Sequence, residues 1–255
     1  MATDPTASNP SASASPLAGG PAGSPVRTSD MFMEREIQAL RKRLIEEAAT
    51  VIGMVETATE ALTRLDPELA RVVISRDDQI DTEEVHIEEE CFRLLTLYQP
   101  FARDFRKIAS MLRVNADLER VADHATSICK QTVKLKDRGA TKLPTALTEL
   151  AQRVPMVCHA LLNAFVTENA DAARDVISRD RAIDSLDKKL FEECLDVMGD
   201  ARDSKATGIL MYRCGREMER IGDLMSNIAE DVIYLVSGHI VRHSEKKRLK
   251  KAAQG

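Results

Sequence analysis

The sequence repeats itself once, and this duplication constrains the fold more than any other feature. The pentapeptide Val73–Asp77 recurs as Val176–Asp180, 103 positions later, and the motif Glu119–Asp123 recurs as Glu219–Asp223, 100 positions later. Two shorter matches also keep the offset of 103: Ile80-Asp81 with Ile183-Asp184, and Glu89-Glu90-Cys91 with Glu192-Glu193-Cys194. Several matches in one order indicate an internal duplication. The chain is therefore expected to fold as two copies of one unit.

Composition indicates that this unit is helical. Aromatic residues make up 4% of the 255 residues, Trp is absent and only 11 glycines occur. Sandwiches, barrels and dinucleotide-binding folds need more strand-forming residues and glycine turns than this. Apolar periodicity and capping residues predict six helices, at about 31–63, 67–97, 101–136, 144–167, 169–198 and 203–237. The fold class expected is all-α, with two tandem three-helix bundles.

The ends of the chain differ from its body. Residues 1–30 hold five of the nine prolines and predict a disordered arm. The two repeats are placed at 31–138 and 139–238, followed by a basic tail at 239–255 that carries a net charge of +5. The rest of the chain carries −10, which argues against a nucleic-acid-binding core. No apolar run is long enough to span a membrane and no secretory signal is recognisable, so a cytoplasmic protein is expected.

Each predicted bundle carries two pairs of acids at positions i and i+4. Such acids share a helix face and repel one another, and here they interrupt apolar sectors rather than lie on polar faces. Two helices that present four carboxylates form a site for a hard cation such as Mg, Ca, Mn or Fe, in preference to Zn or Cu. Glu84 and Asp187 align in the repeat as reserve ligands. The predicted metal ligands are Asp77, Asp81, Glu119 and Asp123 in the first copy and Asp180, Asp184, Glu219 and Asp223 in the second.

Two other interpretations of these acids are open. They could form ordinary interhelical ion pairs with the neighbouring arginines, Arg76, Arg120, Arg179 and Arg220. They could also belong to a metal-storage or metalloenzyme bundle. A ferritin-like di-iron oxidase needs two Glu-x-x-His motifs, and Glu83–His86 is the only one here. His86, His124 and His159 have no counterpart in the other copy and are expected to be packing or surface residues.

No sequence motif points to catalysis. A glycine-rich phosphate loop, a nucleophile elbow and Cys/His metal spacing are all missing from the sequence. The five cysteines form no Cys-x-x-Cys and are expected to be reduced core thiols. The chain is therefore expected not to be an enzyme.

Several motifs taken together resemble the PhoU family of phosphate-uptake regulators. They are Gln99-Pro100-x-x-x-Asp104-Phe105-Arg106, Leu118-Glu119-Arg120-Val121-Ala122-Asp123, Glu219-Arg220-Ile221-Gly222-Asp223-x-x-x-Asn227-Ile228 and the closing Val241-Arg242-His243. The resemblance spans about 31–243 in order. Ala122 stands where the family has Gly, and Ser127 where Asn is common.

The resemblance implies a function and a cofactor class. It implies a cytoplasmic negative regulator of phosphate uptake and phosphate-starvation signalling, in contact with the phosphate ABC transporter ATPase and a sensor histidine kinase. It implies a homodimer that reaches the membrane only by binding its partners. It also implies that the eight acids named above bind multinuclear iron or another hard cation, with zinc less favoured. A carboxylate-bridged storage or enzymatic bundle, and a structural adaptor with salt-bridged acids, are the alternatives.

Overall fold

The computed structural model describes residues 28–199 and 201–241, which contain helices and no strand. Seven helices follow one another: α1 Thr28–Arg64, α2 Pro67–Ile74, α3 Asp77–Tyr98, α4 Ala102–Asp137, α5 Thr145–Val166, α6 Ala170–Val197 and α7 Arg202–Ser237. The predicted arm and basic tail fall almost wholly outside the described residues. The first helix begins at Thr28, three residues before the predicted start at Met31.

Local sequence explains several helix ends. The side chain of Asp66 accepts the backbone N–H groups of Glu68 and Leu69, and Pro67 occupies the first helical position of α2. Asn169 caps α6 in the same way. At the end of α7, Gly238 adopts a left-handed conformation (φ 73°) and its N–H closes onto the carbonyl of Tyr234.

One predicted helix is wrong in its continuity. The segment expected to run unbroken from 67 to 97 is interrupted at Ser75 and Arg76, so that Asp77 becomes the first residue of α3. The same pentapeptide, Val176–Asp180, lies inside the continuous helix α6. Because the two pentapeptides are identical, the interruption depends on the flanking residues, Asp78-Gln79 in one copy and Arg181-Ala182 in the other, and on tertiary packing.

The helices form two three-helix bundles that share one core. In the first bundle α1 and α4 pack on the broken helix α2–α3, and in the second α5, α6 and α7 pack on one another. The bundles meet where α4 packs against α7 and α1 against α5. All five cysteines are buried and free, and burial raises the pKa of each thiol. The predicted all-α duplication is therefore confirmed.

Polar contacts fix the register between the bundles. Glu217 of α7 accepts a hydrogen bond from Ser127 (3.0 Å) and lies 2.7 Å from Nδ1 of His124, both on α4. Farther along, Arg113 of α4 pairs with Asp231 of α7 at 2.7 Å. Residue numbers rise along α4 as they fall along α7, so the two helices run antiparallel. The acidic motifs at 119–123 and 219–223 consequently lie at the same level of the molecule.

The histidines divide between two roles. His124 links the bundles through Glu217, and His159 of α5 lies 2.6 Å from a carboxylate oxygen of Glu56 on α1. His86 is exposed on α3. The expectation of packing or surface roles therefore holds, with the addition that two histidines connect one bundle to the other.

No helix in the described segments combines the length and the apolar character that crossing a bilayer requires.

Candidate metal centre

The first group of predicted ligands lies along the seam between α3 and α4. Asp77 and Asp81 occupy successive turns of α3, Glu119 and Asp123 occupy successive turns of α4, and the two helices pack together. Asp77 and Glu119 are half-buried, whereas Asp81 and Asp123 are exposed. Two carboxylates therefore lie at the surface of the seam and two lie deeper within it.

Electrostatics shows that these four acids are neighbours. Burial raises the pKa of Asp81, and Asp77 and Asp123 raise it further. Burial likewise raises the pKa of Glu119, with added repulsion from Asp123, Asp81 and Glu84. Repulsion of this kind destabilises the ionised cluster, and a bound cation would relieve it.

Asp77 already has partners from α4. The hydroxyl of Thr126 donates to its Oδ1 at 3.0 Å, and the ammonium group of Lys130 lies 3.8 Å from its Oδ2. The lysine side chain is 55% exposed, so this long ion pair contributes little to stability. Asp77 is thus oriented by the hydroxyl while its carboxylate stays near the other acids.

The second group lies along the equivalent seam between α6 and α7. Asp180 is buried, Glu219 and Asp223 are half-buried, and Asp184 is exposed. Burial raises the pKa of Glu219; Arg216 opposes this, and Asp223, Asp187 and Asp184 add to it. The acids predicted from the duplication therefore come together in both copies.

An arginine distinguishes the second group from the first. One guanidinium nitrogen of Arg216 lies 3.1 Å from Asp187 and 3.4 Å from Glu219. Sequence reasoning missed this residue, which has Ala116 as its counterpart in the first copy. A comparison of the copies position by position would have revealed the added cation.

Two of the four arginines suggested as ion-pair partners contact other acids. Arg120 donates to Asp117 at 3.2 Å, and Arg179 donates to Asp175 through its Nε at 2.9 Å. Both pairs lie within one helix and are exposed. Arg120 and Arg179 therefore do not support the ion-pair interpretation. In the second group, the cation that pairs with a predicted ligand is Arg216, which contacts Glu219.

Close helix packing matters at Gly222, between Glu219 and Asp223. A methyl group on Gly222 would lie 2.9 Å from Cδ1 of Ile183 and 3.6 Å from Oδ1 of Asp180. Glycine therefore lets α7 approach α6 at the carboxylates. The first copy has Ala122 at this place, and there the opposing helix is interrupted just before Asp77.

Sequence reasoning also missed Glu47, a buried acid on α1. Its side chain is 4% exposed, and neither carboxylate oxygen has a hydrogen-bond partner among the described residues. Burial raises the pKa of Glu47 to about 8; Glu83 and Glu84 add to the rise, and Arg43 opposes it. Its position between Leu44 and Val51, in an apolar row of α1, was the available signal.

The acids are gathered but do not form a closed coordination shell. Across residues 28–199 and 201–241, no three His, Cys, Asp or Glu side chains are placed to hold a metal ion. The donor set still fits a hard cation, because all eight side chains offer carboxylate oxygens and their charges oppose one another. Metal binding at Asp77, Asp81, Glu119, Asp123, Asp180, Asp184, Glu219 and Asp223 therefore stays a prediction.

Removal of the arginine cation tests this prediction in the second bundle. We expect Arg216→Gln to raise the affinity of that bundle for Mn²⁺ a few-fold, because a half-exposed ion pair is worth up to about 1 kcal/mol. Calorimetric titration of the metal-free protein measures the change. Arg213→Gln, an exposed arginine on the same helix, is the control. Unchanged or weaker Mn²⁺ binding by Arg216→Gln would show that Arg216 does not compete with metal.

Comparison with known proteins places this geometry in a family. The family model described as PhoU domain matches twice, at residues 44–132 and 147–232. The phosphate-specific transport system accessory protein PhoU homolog of Pseudomonas putida is 35% identical over 223 residues, which cover 86% of each chain. The homolog from Clostridium acetobutylicum is 32% identical over 210 residues, covering 81% of this chain and 95% of that protein.

Solved structures agree with the sequence matches. The crystal structure of PhoU from Pseudomonas aeruginosa superposes with a TM-score of 0.76 at 33% identity, covering 81% of this chain and all of that one. The phosphate transport system regulatory protein PhoU from Streptococcus pneumoniae gives a TM-score of 0.75 at 28% identity, covering 82% of this chain and 99% of that one. Both repeats are matched, in order and over nearly the whole of the described structure. The chain belongs to the PhoU family.

Proposed function

We propose that this protein is a cytoplasmic, non-enzymatic negative regulator of phosphate uptake and phosphate-starvation signalling. The observation that carries the proposal is the match of both bundles to proteins named as accessory or regulatory components of phosphate transport. The match extends over about four-fifths of the chain, so it includes both acidic seams. We propose the ATPase of the phosphate ABC transporter and a phosphate-sensing histidine kinase as its partners, and a homodimer as its assembly.

Exposed apolar side chains support a function in protein contact. Leu97, Phe101 and Phe105 lie around the turn between α3 and α4 and are 60%, 85% and 49% exposed. Large apolar side chains that are grouped on a surface are typical of sites that bind other proteins. The turn lies in the Gln99–Arg106 segment that carries part of the family resemblance.

The metal sites belong to the same proposal. The four acids of each seam would hold iron or another hard cation, which would neutralise their charges and tie α3 to α4 and α6 to α7. Mass action would then stabilise the fold, by about 2.7 kcal/mol at a free metal concentration one hundred times the Kd. The metal would then have a structural or regulatory role, and none of these acids would be catalytic.

An oxidase or storage function has less support. The single Glu-x-x-His motif has its glutamate engaged elsewhere, because Arg43 donates to Glu83 through Nη2 at 2.8 Å. A di-iron centre needs both side chains of such a motif as metal ligands, and here the carboxylate of Glu83 is committed to Arg43. This arrangement favours the regulator over the enzyme.

Deletion of the gene tests the regulatory proposal. We expect phosphate-uptake genes to be expressed constitutively in phosphate-replete cells, and the full-length protein to restore repression. Purified protein should retain the transporter ATPase and the sensor kinase in a pull-down, with Phe101→Ala retaining less and Met156→Ala, an exposed residue of α5, retaining as much as wild type. Normal repression in the deletion strain would refute the proposal.

A further inference from the structure

The oxygen ligands of the first bundle continue inward beyond the predicted site. On α4, Asn115, Glu119 and Asp123 follow one another at four-residue intervals and share one face. On α3, Glu84 lies one turn beyond Asp81. The side chain of Asn115 donates to the backbone carbonyl of Glu84 at 2.8 Å, which joins the two rows below the paired acids.

Three buried side-chain oxygens, from Glu47 and Asn115, accept no hydrogen bond from the described residues at this inner end of the seam. Glu47 of α1 is 4% exposed and Asn115 is 1% exposed. Neither carboxylate oxygen of Glu47, nor Oδ1 of Asn115, has a hydrogen-bond partner in the described part of the chain. Buried polar atoms usually have a partner, so these three oxygens on adjoining helices are free to accept a ligand.

Glu84 connects these groups to the predicted site. Arg43, one turn before Glu47 on α1, donates to Glu83, the residue before Glu84, at 2.8 Å, so this part of α1 packs beside Glu84. Repulsion from Glu84 reaches Glu119 on the outer side and Glu47 on the inner side. Glu84 is half-buried, and its backbone is held by Asn115. The acids therefore form a continuous line from the surface of the seam to the centre of the three-helix bundle.

The second bundle provides an internal comparison. With the repeat offsets of 103 and 100, Glu47 corresponds to Leu150 and Asn115 to Gly215. A methyl group on Gly215 would lie 3.6 Å from Cδ1 of Leu150 and 2.0 Å from Cδ2 of Leu190, so these positions face one another in a filled, apolar part of the core. The same place in one fold is apolar in one copy and oxygen-rich in the other.

We infer that Glu47, Glu84 and the side-chain oxygen of Asn115 form an inner position for one hard cation, present in the first bundle only. The inference rests on the proposed metal sites and adds a third helix, α1, to the ligands of the first. Carboxylate and amide oxygens are donors that Mn²⁺, Mg²⁺, Ca²⁺ and Fe²⁺ share. The two bundles would consequently bind different numbers of ions.

Mn²⁺ titration of the full chain tests the inner position. After metal is stripped, bound and free Mn²⁺ are counted by electron paramagnetic resonance for wild type, Glu47→Gln and the control Glu46→Gln. Glu46 is an exposed neighbour on α1, and its substitution makes the same change in charge. We expect Glu47→Gln to bind one ion fewer than wild type, or to bind that ion at least tenfold more weakly, while Glu46→Gln matches wild type.

The outcomes separate this inference from the proposed outer sites. Equal ion counts and affinities for wild type and Glu47→Gln would overturn the inner position, whatever happens at the paired acids. Loss of Mn²⁺ in Asp123→Asn reports on the outer site of the same bundle independently. If Glu47→Gln does not fold, Glu47→Leu introduces the residue of the second copy and is judged by the same ion count.

Discussion

Asparagine at Asp123 and at Asp223 is expected to remove metal from the two bundles one at a time. Each substitution keeps the shape of the side chain and removes one charge from one seam, so Asp123→Asn should empty the outer site of the first bundle and Asp223→Asn that of the second. The double variant should retain at most the one ion assigned to Glu47. Metal analysis after dialysis against Mn²⁺, with calorimetry of thermal unfolding, measures both occupancy and stabilisation.

Stability without metal separates this result from the ion-pair interpretation. Like charges at i and i+4 repel by about 0.2–0.5 kcal/mol, so the metal-free double variant should be as stable as wild type or slightly more so. If the acids were paired with buried arginines, each asparagine would instead cost about 3–5 kcal/mol. Glu89→Gln, an exposed acid of α3, controls for the loss of charge. Unchanged metal content in the double variant would refute the assignment of the eight ligands.

The duplication made most of the fold predictable, because the sequence pattern of a helix in one copy could be checked against the matching segment of the other copy. The interruption at Ser75 and Arg76 was not predictable in this way, since Val73–Asp77 and Val176–Asp180 are identical and yet only one of them is broken. A difference between identical segments comes from the residues that flank them in the chain or from the helices that pack on them. Ala122 and Gly222, on the helices that pack against the two segments, are one such difference.

The candidate site was predictable where it is repeated and not where it is unique. The paired acids appear in both copies and interrupt apolar rows, which makes them visible in the sequence. Glu47 and Arg216 each occur in one copy only. In the other copy the aligned residues are Leu150 and Ala116. In the sequence, a single acid in an apolar row looks like a residue at the solvent-exposed border of that row. An alignment of the two copies shows where they differ, but only the packed structure shows that Glu47 is buried by neighbouring helices.

Glu47→Gln is expected to make the metal-free protein much more stable at high pH and to leave it unchanged at low pH. The pKa of Glu47 is about 8 in the folded protein, against 4.5 for an ordinary glutamate. The folded state therefore holds a proton that the unfolded state releases between these values, and stability falls as the pH rises from about 4.5 to 8. At about 1.4 kcal/mol for each pKa unit, the full loss is on the order of 5 kcal/mol.

Denaturant unfolding of metal-free protein at pH 5 and pH 8.5 measures this effect. Glutamine resembles the protonated acid, so the two proteins should be nearly equal at pH 5 and differ by several kcal/mol in favour of Glu47→Gln at pH 8.5. Glu46→Gln, with its side chain 66% exposed, should show no such divergence. Burial of Glu47 drives the effect, the α3 acids Glu83 and Glu84 add to it, and Arg43 of α1 opposes it; Glu84→Gln should therefore reduce the divergence in part. Parallel stability curves for wild type and Glu47→Gln would show that Glu47 is ionised and solvated in the folded protein, because only a carboxyl group that stays protonated above pH 5 can separate them.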